Sequence, residues 1–320
     1  MSLLICSIKH GGVVHNPLGA GSYVFKDHFI PHFLQYCKGK TLISQFGAQP
    51  NSSPHIGTIA TFSVAFAIAS RVQDRDVLIS LDIVDTAPSE QVNIDGTIYQ
   101  KKMDSYMEDY KVVMASLHKY WGVRYRIRTQ TEFLNDPKVV VAVKKILDQR
   151  QELQRSLAPK HRCLGIRSMC PVDECVDISD IEAVAKLEFN TPLRNLLRAM
   201  VFASDESSDY SGYYQEQLLW RHIPQSPIII YAPQILDWSG VKISKSLYVC
   251  EGGYDYLRLQ GLEYCLSFKK FQAEGKDLDV LFKEVDSWVD NPSKLFRSYS
   301  LKYIHALFER AGRCDEAVVV

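Results

Sequence analysis

The chain has 320 residues, 46% of them hydrophobic, enough to bury a large core as one main domain or as a main domain with appendages. Its 37 basic and 37 acidic side chains balance, which excludes a protein held on nucleic acid by overall charge; any RNA contact has to come from a local patch. No apolar stretch reaches the about 20 residues that span a bilayer, the first residues lack a signal peptide's basic segment and cleavage site, and the 8 scattered cysteines read as reduced thiols. The expectation is therefore a cytoplasmic protein with no membrane partner.

In chain order, apolar spacing predicts a helix over 25–37, stopped at Gly39. The β-rich run Thr41-Leu42-Ile43-Ser44-Gln45-Phe46 predicts a buried strand. Residues 47–54, rich in Gly, Pro, Asn and Ser, read as a loop, and an apolar helix follows over about 55–72. Residues 77–84 (VLISLDIV) predict a second strand. Strand, loop, helix and strand make a right-handed βαβ unit, which implies a parallel sheet. A long amphipathic helix over 100–121, closed by Gly122, precedes a strand over 123–128 and a strongly helical segment over 137–157. A Cys-containing segment, 163–175, interrupts this pattern; a fully apolar strand is predicted over 227–232 and helices over 277–311. The expected class is α/β: a Rossmann-type, doubly wound parallel sheet in a catalytic domain over 1–255, with an inserted segment at about 150–185. A helical C-terminal subdomain covers 256–320.

Two short segments carry the chemistry. The first, Pro54-His55-Ile56-Gly57-Thr58, falls after the first strand and opens the next helix. Unpaired amides and the helix dipole favour phosphate there. An imidazole at the helix start can donate to phosphate oxygens, and Gly57, without a side chain, leaves room for an adenine ring. A helix-capping loop with a structural histidine would show the same residues. The second, Lys242-Ile243-Ser244-Lys245-Ser246, follows Asp237-Trp238-Ser239-Gly240 and the last predicted strand. Lysine charges and serine hydroxyls in a loop can stabilise charge on a leaving pyrophosphate.

In this order and at this separation, the two segments resemble the ATP-handling signatures of class I aminoacyl-tRNA synthetases. The stretch LEFNTPLRNLLRAMVFASDESSDYSGYYQEQLL and the segment TQTEFLNDPKVVVAVKKILDQRQEL resemble the lysyl branch and, more loosely, the arginyl branch; the covered region is roughly 40 to 250. The resemblance implies ATP with Mg2+ as cofactor, tRNA or aminoacyl-tRNA as partner and an amino acid as substrate. It implies catalysis by His55, Lys242, Ser244 and above all Lys245, and a nucleotide pocket shaped by Gly47, Gln49, Pro54, Gly57 and Thr58. The family pattern ends in a second histidine where this chain has Thr58, a residue that hydrogen-bonds but carries no charge. Asp209, Ser211, Gly212 and Gln215 stand where the family holds the amino acid or ribose; Asp82, Asp85, Glu188, Asp205, Glu206 and Asp209 are the carboxylates able to receive a cationic side chain.

The chain after the second signature is too short for the large helical anticodon-binding domain of lysyl and arginyl enzymes, which implies a stand-alone paralogue handling a basic amino acid, with a tilt to arginine over lysine. Cyclodipeptide synthases share the class I fold, consume aminoacyl-tRNA, and include a fungal group with arginine-containing products; such an activity is the alternative. A tRNA-independent nucleotidyltransferase or amino acid ligase is a further one. A covalent version needs a nucleophile, for which Ser44, Ser52 and Ser53 are candidates, although ordinary turn chemistry explains the same serines. His161, Cys163, Cys170 and Cys175 could hold a structural zinc, at looser spacing than a standard ribbon. The doublets Lys101-Lys102, Lys144-Lys145 and Lys269-Lys270 could touch RNA phosphate or simply be solvated helix faces. Oligomeric state is not legible.

Overall fold

A computed structural model describes residues 8–10, 13–15, 29–34, 37, 39–85, 91–94, 97–100, 106–157, 166–168, 187–189, 191–202, 206–208, 230, 232–243, 253–295 and 297–316. The hairpin β1 (Ile8–His10) and β2 (Val13–His15) precedes α1 (Phe29–Leu34), β3 (Thr41–Ala48), α2 (Ile56–Ser70) and β4 (Asp76–Ile83). A second hairpin, β5 (Gln91–Ile94) and β6 (Thr97–Gln100), leads to α3 (Met107–Trp121), β7 (Tyr125–Thr129), α4 (Gln130–Leu134), α5 (Pro137–Asp148) and α6 (Arg150–Leu157). Then come β8 (Ile166–Ser168), β9 (Leu187–Phe189), α7 (Thr191–Phe202), β10 (Glu206–Ser208) and β11 (Ile235–Leu236). The last elements are α8 (Asp255–Leu259), α9 (Phe268–Ala273), α10 (Leu278–Asp290), α11 (Pro292–Leu295), β12 (Tyr299–Ser300) and α12 (Leu301–Glu316).

The central sheet has the order β10-β3-β4-β7 and every pairing in it is parallel. This is the α/β arrangement expected. A parallel pair needs a crossover, and α2 and α3 supply those between β3 and β4 and between β4 and β7. The helix foreseen over 100–121 starts only at Met107, because β6 takes Thr97–Gln100. Gly122 closes it in the left-handed conformation, φ 68°. The segment foreseen over 137–157 is two helices, parted at Gln149. The strand foreseen over 227–232 lies mostly outside the described residues, and so does the Cys-containing segment over 163–175 apart from β8.

Alternation gives the sheet two different faces. Leu42, Phe46 and Ala48 of β3 and Ile79, Leu81 and Ile83 of β4 join one apolar core with α2. Phe46 stacks on Phe62 of α2 at 4.5 Å between ring centroids. Helix α2 is apolar nearly all round because it is covered on both sides: α3 and α10 pack on it, and Leu281, Val285, Trp288 and Val289 of α10 belong to the same core. Truncating a ring such as Phe62 to alanine there costs about 3–5 kcal/mol. Arg71, just past α2, donates to Asp286 (3.1 Å) and Asp290 (2.7 Å) of α10, and Asp286 also accepts from Tyr120 and Trp121 of α3. One carboxylate thus fastens three helices.

The opposite face is polar. Register sets Gln45 beside Ser80 and Arg126, and Gly47 beside Asp82 and Arg128. Over this side lie α4, α5 and α7, with Phe133, Val139, Val143, Leu193, Leu196 and Leu197 buried among them. Among the described residues no helix is long and apolar enough to cross a membrane.

Candidate functional site

The loop between β3 and α2 and the start of α2 form the first part of the site, at the carboxyl tips of parallel strands. His55 caps α2 in an extended conformation (φ −87°, ψ 166°) and is only 8% exposed. Thr58 N donates to His55 Nδ1 at 3.2 Å, and Thr58 Oγ1 lies 3.3 Å from Nε2. A ring that accepts at Nδ1 carries its proton at Nε2 when neutral, so Nε2 is the donor to the Thr58 hydroxyl. Gly57 leaves room for this ring: a Cβ there would lie 3.1 Å from Cε1 and Nδ1 of His55, so the ring would have to give by a few tenths of an ångström. The same Cβ would lie 3.6 Å from Cβ of Ile235.

That neighbour links the two signatures. Ile235 belongs to β11, and its carbonyl accepts from Ile243 N at 3.0 Å; Leu236 and Lys242 form an antiparallel bridge. The stem of the second signature therefore stands against the helix start of the first. Ile243 is buried and Lys242 exposed. Ser244, Lys245 and Ser246 lie outside the described residues.

Asp237 builds the turn before this stem. Its backbone N donates to Val241 O (2.8 Å) and its carbonyl accepts from Gly240 N (3.1 Å), with Gly240 left-handed at φ 82°. Its Oδ1 accepts from Ser239 N, Ser239 Oγ and Val241 N, and its Oδ2 from Tyr256 Oη at 3.1 Å. Burial pushes the Asp237 carboxyl up, but these donors, Ser239 Oγ foremost, outweigh it and hold the group below its ordinary range. Burial and the Asp237 charge push the Tyr256 hydroxyl up to about 12, so it remains a donor. Trp238, at the tip, is 73% exposed.

The serines differ in environment. Ser53 Oγ accepts from Lys269 N at 3.1 Å, and Phe268 N donates to Pro54 O at 2.9 Å, so the start of α9 is docked on the loop. Ser52 is 4% exposed, and its Oγ has no hydrogen-bond partner among the described residues. Ser44 has the parity of Leu42 and Phe46, on the α2 side of β3. Gln49 accepts through its carbonyl from Tyr110 Oη at 3.1 Å.

Asp82, read from sequence as a partner for a cationic substrate, is fully buried and engaged by the chain's own cations. Arg128 forks onto it, Nε to Oδ1 at 3.1 Å and Nη2 to Oδ2 at 2.9 Å. Arg198 of α7 pairs with Oδ2, and Gln45 Nε2 donates to the same oxygen. Arg198 Nη2 also donates to Gln130 Oε1 at 2.6 Å, and both guanidiniums lie over the Phe133 ring, at 5.5 and 5.2 Å. Asp85 is buried too and accepts from Thr131 N (3.1 Å) and Thr131 Oγ1 (2.7 Å), fixing the first turn of α4. Neither arginine was singled out from the sequence, although Arg126 and Arg128 alternate in a strand and so share one face, a period-two signal of a half-buried charged stripe.

Glu188 and Glu206 are placed by backbone register alone, Glu188 beside Arg167 and Glu206 beside Ile43. Asp205, Asp209, Ser211, Gly212, Gln215, His161, Cys163, Cys170 and Cys175 lie outside the described residues. Among the described residues no group of His, Cys, Asp or Glu could hold a metal ion. Lys144 and Lys145 are exposed; Lys269 Nζ lies 4.7 Å over the Tyr106 ring and Lys270 pairs with Glu263; Lys101 and Lys102 lie outside the described residues.

No protein-family model and no curated protein matches the chain. Among solved structures, the chain is similar to the tyrosyl-tRNA synthetase of Archaeoglobus fulgidus in complex with L-tyrosine, with 15% identity over 67% of this chain and 61% of that one, at a TM-score of 0.37. The tyrosyl-tRNA synthetase of Pyrococcus horikoshii with L-tyrosine gives 12% identity over 74% and 62%, TM-score 0.34. A Campylobacter jejuni protein assigned as an arginyl-tRNA synthetase gives 9% over 76% and 67%, TM-score 0.29. The chain spans about three fifths of the length of the two tyrosyl enzymes it matches.

Proposed function

We propose that the chain is a class I synthetase-like enzyme that handles the aminoacyl group of a basic amino acid, arginine before lysine, as aminoacyl-adenylate, aminoacyl-tRNA or both. One observation carries the reading: the stem of the Lys242-Ile243 segment is hydrogen-bonded to Ile235, which packs against Gly57 beside His55. Two segments distant in sequence meet where a parallel sheet presents its strand tips and a helix presents its amides, the usual place for a phosphate-bearing ligand.

The α2 N-terminus and the exposed Lys242 suit an anion. In this reading Gly47, Gln49, Pro54, Gly57 and Thr58 shape the nucleotide pocket, and Lys242, Ser244 and Lys245 stabilise charge on the phosphates. ATP with Mg2+, when bound, supplies the activated phosphorus and the pyrophosphate leaving group. The amino acid lies with Asp209 and Gln215. Asp82 and Asp85 hold the walls of the pocket together, through Arg128, Arg198 and Thr131.

A second reading, joining two aminoacyl groups from charged tRNA into a diketopiperazine, is favoured by two observations. Both His55 nitrogens are within reach of Thr58, and the Ser52 hydroxyl is buried without a partner among the described residues. Ser52 Oγ would attack the ester carbonyl of one aminoacyl-tRNA. The ester C–O bond breaks and the tRNA ribose hydroxyl leaves with the serine proton. The α-amine of the second aminoacyl group then displaces Ser52, and ring closure frees the second tRNA.

The deciding experiment screens the amino acids for ATP–pyrophosphate exchange and for diketopiperazine formation, with and without tRNA. Exchange that depends on one basic amino acid and is abolished by Lys245→Ala is the expected result for the first reading. Diketopiperazine from charged tRNA without ATP establishes the second. Neither product from any amino acid sinks both.

A further inference from the structure

Three buried polar atoms near the loop joining β3 to α2 have no hydrogen-bond partner among the described residues: Oδ1 of Asn51, Oγ of Ser52 and Oδ2 of Asp109. Asn51 and Ser52 belong to the loop; Asp109 is in the first turn of α3 and only 8% exposed. Two contacts bring these segments side by side. Tyr110 Oη donates to Gln49 O at 3.1 Å. Lys269, whose N donates to Ser53 Oγ, lays its Nζ over the ring of Tyr106. Residues 49–53 and 106–110 thus flank one another at the carboxyl tip of β3.

The chemistry of the three atoms is one-sided. An amide Oδ1 and a carboxylate Oδ2 only accept, and a serine hydroxyl accepts as well as donates. A buried carboxylate oxygen without a donor is unfavourable and calls for an explanation. A role in the helix dipole does not supply one, because that interaction needs no burial and the exposed Glu108 in the same turn already serves it. Asp82 and Asp85 form the contrast: their carboxylates are filled by arginines, a glutamine and a threonine of the chain.

We infer that Asn51 and Asp109 receive the cationic side chain of the aminoacyl substrate, an alkylguanidinium or alkylammonium group, with Asp109 as its counter-charge. This rests on the function proposed above and adds to it the residues that choose the substrate. A guanidinium brings several N–H donors and no acceptor, which matches a set of acceptors left without donors. The carboxylate would disfavour a neutral side chain of the same length, because its buried Oδ2 would then remain without a charged donor.

The test measures binding of the methyl esters of L-arginine, L-lysine, L-citrulline and L-norleucine to the full chain by calorimetry, in the wild type, Asp109→Asn and Asn51→Asp. The wild type should prefer the arginine or lysine ester over both neutral esters by at least about tenfold. Asp109→Asn should erase that preference while unfolding at the same or a higher temperature, since it relieves a buried charge. Asn51→Asp, which adds a second carboxylate, should strengthen the preference and serves as a separate check if Asp109→Asn fails to fold. The inference is overturned if the wild type shows no preference, if Asp109→Asn keeps it, if that variant weakens all four esters equally (the acid then reads the α-ammonium), or if Asn51→Asp leaves it unchanged. The exchange and diketopiperazine assays on the same preparations separate the two claims. An inactive wild type whose ester preference depends on Asp109 overturns the enzymatic reading alone; an active one whose Asp109→Asn variant keeps the preference overturns this inference alone.

Discussion

His55 is clamped by the residue three positions after it: the Thr58 amide donates to Nδ1 and the Thr58 hydroxyl lies against Nε2. The amide bond is shared, since Thr58 N also donates to the His55 carbonyl at 2.9 Å. The hydroxyl is therefore the contact that orients the ring. Thr58→Val keeps the shape and the amide but removes that partner. Loss of one such bond is worth about 1 kcal/mol. We expect kcat in whichever aminoacyl assay the wild type supports to fall about 3- to 10-fold, with unfolding temperature nearly unchanged. His55→Ala should cost far more. A Thr58→Val enzyme with wild-type kcat would show that the clamp has no part in the reaction.

Ser52 and Ser53 are neighbours with opposite expectations. Ser53 Oγ accepts the Lys269 amide, so Ser53→Ala leaves a part-buried N–H without its acceptor and should destabilise by about 1–3 kcal/mol in urea unfolding. Ser52→Ala removes a hydroxyl that bonds to nothing among the described residues and should cost little stability. If the diketopiperazine reading holds, Ser52→Ala abolishes the product and the aminoacyl-enzyme adduct seen by mass spectrometry, while Ser53→Ala keeps both. If the adenylation reading holds, Ser52→Ala retains pyrophosphate exchange.

The strands and crossovers were legible where the residues are long, β-branched runs. The expectations over 41–46, 77–84 and 123–128 meet β3, β4 and β7 within a few residues, and the apolar run over 55–72 meets α2. Strand β10 was not, because Glu206-Ser207-Ser208 carries no apolar pattern and exists only by pairing with β3. That α10 covers α2 was equally invisible, since an amphipathic stripe does not name the surface it meets. In the site, the position of His55 at a helix start could be read from spacing. Its partner could not, because Thr58 reads as a departure from a pattern rather than as a ligand of the ring. Asp109 was not singled out from the sequence; only its burial sets it apart.

Asp82 pairs with two guanidiniums, both of which lie over the Phe133 ring. Removing one partner of a buried ionic cluster leaves uncompensated charge and typically costs about 3–5 kcal/mol. Asp82→Asn should therefore lower the urea midpoint strongly, whereas Asp76→Asn, whose pair with Arg124 is exposed, should move it by less than about 1 kcal/mol. Similar midpoints for the two variants would show that the buried cluster contributes no more than a surface pair.

Asp237 shapes the turn from which the second signature departs, and its dependence on pH has a definite sign. Its donors hold the folded-state carboxyl below the ordinary value of about 3.9, so its stabilisation is fully present above that value and is lost as pH falls through the lower folded one. Tyr256 stays protonated over this range, and its bond to Oδ2 persists. Asp237→Ala should cost about 1–3 kcal/mol at neutral pH and speed amide exchange at Ser239 and Val241. The stability gap between wild type and variant should stay flat from pH 8 to about 4 and narrow on further acidification. A gap that changes between pH 5 and 8 would mean that a group other than Asp237 governs the turn.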